Sequence, residues 1–117
     1  ARDIKRNLHL NNLQVICGKG TVPVATVTLT WEDVCHSATA EGNGPVDAAI
    51  NAVKEILKKK VRIEEFLIQA ITRGSDDMGK VHMQIEHKSV IYYGFSASTD
   101  IITASVEAFI DGMSQIV

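Results

Sequence analysis

The chain has 117 residues, 45% of them hydrophobic and 22% charged, and a formal net charge of −2. That is enough apolar material for one real core, so a single domain over 1–117 is expected. The balanced charge gives no footprint for a nucleic-acid partner: the only basic run, Lys58-Lys59-Lys60-Val61-Arg62, falls at the end of a predicted helix, where it complements the helix dipole and is solvated. No apolar run approaches the roughly 20 residues of a membrane helix, and Ala1-Arg2-Asp3 opens no signal sequence, so a soluble, cytoplasmic protein without membrane contact is expected. Ala1 in place of Met hints at a fragment. Cys17 and Cys35 lack metal-motif spacing and lie in apolar, strand-like stretches, which predicts reduced, buried thiols rather than a disulfide framework.

Leu8 to Cys17 reads as a strand ending at the Gly18-Lys19-Gly20 turn. From Thr21 to Trp31, Ala25, Val27, Leu29 and Trp31 alternate with Val24, Thr26, Thr28 and Thr30, predicting a strand with one buried face. Glu32-Asp33 turns the chain into a third strand, Val34 to Ala40, and Glu41-Gly42-Asn43-Gly44-Pro45 breaks the pairing and opens a helix. Asn43 or Gly44 suits the cap, Pro45 the first helical position and Asp47 the first turn. Val46, Ala49, Ile50, Val53 and Leu57 then form an apolar stripe.

The second half repeats the plan. Val61 to Thr72, Lys80 to Glu86 and Val90 to Phe95 read as strands, with Val81, Met83 and Ile85 opposed to His82, Gln84 and Glu86 and a turn near His87-Lys88. Ser98-Thr99-Asp100 caps a last helix with the stripe Ile102, Val106, Phe109, Met113 and Ile116. Strand-strand-strand-helix twice, over about 8–60 and 61–117, predicts a pseudo-twofold α+β fold with antiparallel pairing and helices on one face of the sheet. Two helices protect only part of such a surface, and dimerisation would bury the remainder.

No residue constellation makes a convincing active centre. His36 and the neighbouring Cys35 point to opposite faces of a strand and cannot act as a local base–nucleophile pair. His82, Gln84 and Glu86 share one face, which reads as a solvated strand rather than a metal site, although a small enzyme using His36 or the His82/His87 pair is a rival reading. Gly74-Ser75-Asp76-Asp77-Met78-Gly79 is too short for an EF-hand loop and lacks its terminal Glu. What remains is two glycine-preceded helix starts, whose N–H groups and dipoles suit a carboxylate.

Four segments in register sharpen this: Ala40-Glu41-Gly42-Asn43-Gly44-Pro45-Val46-Asp47-Ala48, Gly74 to Val81, Tyr93-Gly94-Phe95, and Ser98-Thr99-Asp100-Ile101-Ile102 with Ala104-Ser105. From about Leu10 to the end, the chain resembles the C-terminal regulatory domain of the isopropylmalate synthase family. The resemblance implies a homodimeric, non-catalytic domain that binds leucine as feedback inhibitor. The partner catalytic barrel condenses acetyl-CoA with 2-oxoisovalerate using a divalent metal, and a barrel cannot fit in 117 residues. No cofactor is expected in this domain; metal and acetyl-CoA belong to the absent barrel.

The resemblance also implies a leucine pocket near the helix starts at the dimer interface. It carries over Gly42, Gly44, Val46 and Asp47 from the glycine turn, Ile63, Phe66 and Ala70 from the next strand, Asp77 from the acidic loop, and Asp100 and Ile101 from the second helix start. By residue type, N–H groups around Ile101 suit the ligand carboxylate, Asp47, Asp77 or Asp100 its ammonium, and Val46, Ile63 and Phe66 its aliphatic tail. Many leucine-sensitive relatives carry Tyr or a longer loop where this chain has Phe66 and the compact Gly74 to Gly79 turn. Citramalate synthases share the domain and sense isoleucine, which makes isoleucine the alternative effector; the room left by Ala70 favours leucine. A ligand-free dimerisation module is the remaining alternative.

Overall fold

The computed structural model describes residues 8–71 and 78–117. In chain order these form β1 (Leu8–Ile16), β2 (Val24–Trp31), β3 (Val34–Glu41), α1 (Pro45–Leu57), β4 (Arg62–Ile71), β5 (Met78–His87), β6 (Val90–Ser98) and α2 (Ile101–Met113). The predicted α+β order is therefore present twice, as two compact units, one ending at Lys59 and the other beginning at Lys60. Each unit holds its own antiparallel sheet, β1-β2-β3 or β4-β5-β6.

Both second hairpins close in the same way. Glu32 and Asp33 (φ 55° and 65°) join Trp31 to Val34, and Lys88 and Ser89 (φ 52° and 67°) join His87 to Val90. Positive φ at both central residues gives a two-residue turn whose twist matches that of the strands. The sequence marks neither with glycine, and the tight pairing on either side holds the left-handed backbone in place.

In the first unit Ala25, Val27 and Leu29 are completely buried beneath Ala49, Val53 and Leu57 of α1, which packs on β2 and β3. Burying a Val or Leu contributes about 1.5–3 kcal/mol, so this stripe anchors the unit. On the other face hydroxyls pair across strands: Thr26 with Thr39 at 2.9 Å, Thr28 with Ser37 at 3.3 Å, and Thr30 with Asn11 at 2.7 Å. Trp31 is half-buried rather than fully buried and tilts against His36, with ring centroids 5.8 Å apart.

In the second unit Val81, Met83 and Ile85 are buried beneath Val106, Phe109 and Met113 of α2, which packs on β5 and β6. Two glycines set that approach. A Cβ on Gly94 would overlap the Ala108 carbonyl oxygen and lie 2.8 Å from the Gly112 nitrogen, and one on Gly112 would lie 2.6 Å from Ile85 Cδ1.

Some boundaries differ from expectation. β5 begins at Met78 and β6 runs to Ser98 because Gly79 and Lys80 pair with Ser98 and Ala97. α2 ends at Met113, leaving Ile116 half-buried beyond it. The thiols depart most: Cys17 and Cys35 are exposed, because Cys35 pairs with Thr30 on the hydroxyl-bearing face and Cys17 follows the end of β1. Among the described residues, no helix is long and apolar enough to cross a membrane.

Gly94→Ala is expected to lower the unfolding free energy by about 1–3 kcal/mol, because helix and sheet must separate to admit one methyl group. Urea titration reads this as a lower midpoint at constant m-value. An unchanged midpoint would mean that α2 is not held against β6 at this point.

Candidate functional site

In the first unit, Gly42, Gly44, Val46 and Asp47 gather at the start of α1. The Gly42 N–H donates to the Pro23 carbonyl at 3.1 Å, and a Cβ on Gly42 would overlap the Ala48 nitrogen and lie 2.7 Å from its Cα. The helix start therefore crosses this backbone so closely that only glycine fits. Gly44 is the N-cap in extended backbone (φ −159°, ψ 175°), with open space where a side chain would stand and no side-chain cap. Any residue tolerates that conformation; what glycine contributes is access to the Val46 and Asp47 N–H groups, which have no partner within a helix. Half-buried Val46 stands beside this opening. The Asp47 carboxylate turns back to accept from the Asn43 N–H at 2.9 Å, a reciprocal of ordinary capping that fixes the loop.

The second helix start is built differently. Asp100 is the N-cap; Oδ1 accepts from the Ile102 N–H at 3.1 Å, Oδ2 from the Thr103 hydroxyl at 2.7 Å, and the Asp100 N–H donates to Ser98 Oγ at 3.1 Å. A carboxylate thus already sits at the positive end of α2. Both helix starts therefore carry a carboxylate, Asp47 at α1 and Asp100 at α2, but only Asp100 accepts from a first-turn helix N–H, so a cationic group is favoured beside Asp100.

The β4 residues carry an unexpected feature. Simple alternation would put Ile63 on one face and Phe66 and Ala70 on the other. A register irregularity between Ile63 and Glu65 leaves Ile63 opposite Ile85 and Phe66 opposite Met83, both core positions, so Ile63 and Phe66 share the helix-side face. Ile68, opposite Val81, joins them, and it was not singled out from the sequence. α2 packs on β5 and β6, so this face of β4 stays open: Ile63 is half-buried, and Phe66 and Ile68 remain 40% and 46% exposed. Ala70 lies opposite Gly79 in register, and the half-buried Ile101 places its side chain where a Gly79 Cβ would be. The open β4 face and the α2 start are thereby neighbours within one unit. Asp77 lies outside the described residues.

The histidines form no centre. His82 lies on the face of the sheet turned away from α2, its ring 4.8 Å from that of Phe95, whereas His87 lies on the helix-side face with Nδ1 3.2 Å from the Lys60 carbonyl. Among the described residues, no group of three His, Cys, Asp or Glu stands close enough to hold a metal ion. From the basic run, Arg62 pairs with Glu64 at 2.6 Å and with Glu86 at 3.4 Å.

A family model described as the LeuA allosteric (dimerisation) domain matches residues 2–117. The chain belongs to that family. A 2-isopropylmalate synthase of Parabacteroides distasonis is 50% identical over 117 residues, covering 99% of this chain and 23% of that protein. The 2-isopropylmalate synthases of Synechocystis sp. and Methanocaldococcus jannaschii are 38% and 37% identical, covering 92% and 95% of this chain and 20% and 21% of those proteins. This LeuA-type domain thus spans about a fifth of the length of the curated relatives it matches.

The two caps of the LeuA-type domain should differ in weight. Asp100→Ala removes two hydrogen bonds and a dipole-facing charge and is expected to cost about 1–2 kcal/mol; Asp47→Ala removes one bond at an exposed loop and is expected to cost about 0.5 kcal/mol. Denaturant unfolding of both variants measures the difference, and equal losses would contradict the asymmetry between the two helix starts.

Proposed function

We propose that this chain is the regulatory portion of a 2-isopropylmalate synthase and binds leucine as a feedback effector, acting as a homodimer. The observation that carries the reading is the β4 irregularity, which lines up Ile63 and Phe66 on a face that α2 leaves open. An exposed apolar wall beside a carboxylate-capped helix start suits the branched tail and ammonium of an aliphatic amino acid. Separately, in the first unit, the uncapped, glycine-led start of α1 offers N–H groups and a dipole that suit a carboxylate. Asp100 supplies the charge for the ammonium.

On this reading the chain performs no chemistry of its own. Condensation of acetyl-CoA with 2-oxoisovalerate belongs to the catalytic barrel, with which this domain communicates. Feedback inhibition requires leucine to bind the inactive arrangement of the whole enzyme more tightly than the active one, by a coupling free energy of about 1–3 kcal/mol.

Calorimetric titration with leucine, isoleucine and valine tests the proposal. Saturable binding of leucine is expected, with valine weaker by at least about tenfold for the missing methylene. Phe66→Ala, at an exposed position, should weaken leucine at least about tenfold without unfolding the domain. Preference for isoleucine would replace the effector. Absence of heat with all three would overturn effector binding and leave a dimerisation module.

A further inference from the structure

We infer that α2 holds the free edge of β6 closed against strand addition, through the polar stripe Glu107, Asp111 and Gln115. The inference concerns the second unit alone and is independent of effector binding.

The order β4-β5-β6 leaves β6 at an edge of its sheet. An edge strand presents a row of backbone N–H and C=O groups that templates pairing with another extended chain, and Lys or Pro on the strand is the usual safeguard. β6 has neither: Val-Ile-Tyr-Tyr-Gly-Phe-Ser-Ala-Ser carries no charge, and its first half is β-branched and aromatic. That is the composition from which edge-to-edge assembly starts. In the structure, however, two edge groups at the middle of β6 are already taken. The Phe95 N–H donates to Asp111 Oδ2 at 3.0 Å, and the Tyr93 carbonyl accepts from Gln115 Nε2 at 2.6 Å. Tyr93 and Phe95 are two residues apart, so their backbone groups point the same way, out of the sheet edge. An arriving strand would need both to build its ladder.

Helical spacing and close packing put the stripe there. Glu107, Asp111 and Gln115 recur every four residues, which sets them on one side of the helix. Although α2 ends at Met113, the Ser114 N–H still donates to the Ile110 carbonyl at 2.8 Å, so the same path carries Gln115 over Tyr93. Glu107 anchors the other end by accepting from Ser96 Oγ at 3.1 Å. Gly94, between the two bonded strand residues, and Gly112, next to Asp111, bring helix and strand backbones together, within reach of a side chain as short as aspartate. The first unit has a single counterpart, Asn51 Nδ2 donating to the Glu41 carbonyl at 2.9 Å, and it lies at the very end of β3. β3 needs less: its outward hydroxyls already bond those of β2.

Amide hydrogen exchange and peptide binding on the full chain test the inference. The probe is a synthetic peptide with the sequence of β5, Met78 to His87, which pairs with β6 on its inner side. Wild type should show a slowly exchanging Phe95 amide and no binding of the peptide. Asp111→Ala should speed that amide at least about tenfold, whereas Asp111→Asn, which keeps an acceptor oxygen, should leave it slow. Asp111→Ala combined with Gln115→Ala should bind the peptide and associate beyond the wild-type state in sedimentation velocity, with unchanged circular dichroism. Should that double variant fail to fold, Gln115→Glu is read in its place: the position is exposed, the new side chain cannot donate to the Tyr93 carbonyl, and peptide binding is again expected. Wild type that binds the peptide as the variants do, or folded variants that neither bind it nor associate, would overturn the inference.

Discussion

A single helix is narrower than the sheet it serves, and most of what this protein offers to other molecules follows from that mismatch. Each helix has 13 residues and is about 10 Å across, while three strands spaced about 4.8 Å apart form a broader surface. α1 settles over β2 and β3, and α2 over β5 and β6. The first strand of the second unit is left with its helix-side face uncovered. The irregularity between Ile63 and Glu65 turns that gap into an apolar wall, by rotating Ile63 onto the same side as Phe66 and Ile68. A counterpart between Leu10 and Asn12 in β1 keeps Leu10 and Leu13 on one side in the first unit. The duplication thus extends to the defect in the ladder as well as to the ladder itself.

Within this shared plan the two helix starts have diverged. Gly44 leaves the first without a side-chain cap, with the Asp47 carboxylate accepting from the Asn43 N–H just before it, while Asp100 closes the second with its own side chain. The outer faces of the sheets have diverged too, one hydroxyl-bearing and internally bonded, the other carrying Leu67, Tyr93 and Phe95. The duplicated scaffold thus carries unlike surfaces on its two halves.

The fold was legible in the sequence because the alternation of Ala25, Val27 and Leu29, and of Val81, Met83 and Ile85, is strict and falls on the most deeply buried strands. The helix starts were legible from glycine and proline chemistry at Gly42 to Pro45 and from the Ser98-Thr99-Asp100 cap. Exposure at strand ends was not: Cys35 lies in an apolar stretch and is exposed, since its face is decided by pairing with Thr30. Ile63 and Phe66 as one wall came from family resemblance alone, because alternation contradicts it and only the paired strand reveals the extra residue. The cap at Asp100 was foreseen, yet its consequence for ligand polarity required the hydrogen bonds at both helix starts.

The central proposal is that a branched-chain amino acid is held at the open β4 face beside the Asp100-capped start of α2. Amide chemical-shift mapping during leucine addition tests it residue by residue. The account predicts saturable shifts concentrated around Ile63 to Ile68 and at Asp100 to Ile102, with the hydroxyl-bearing face of β1-β2-β3 silent. Shifts confined to that silent face, or none at saturating leucine, would contradict it.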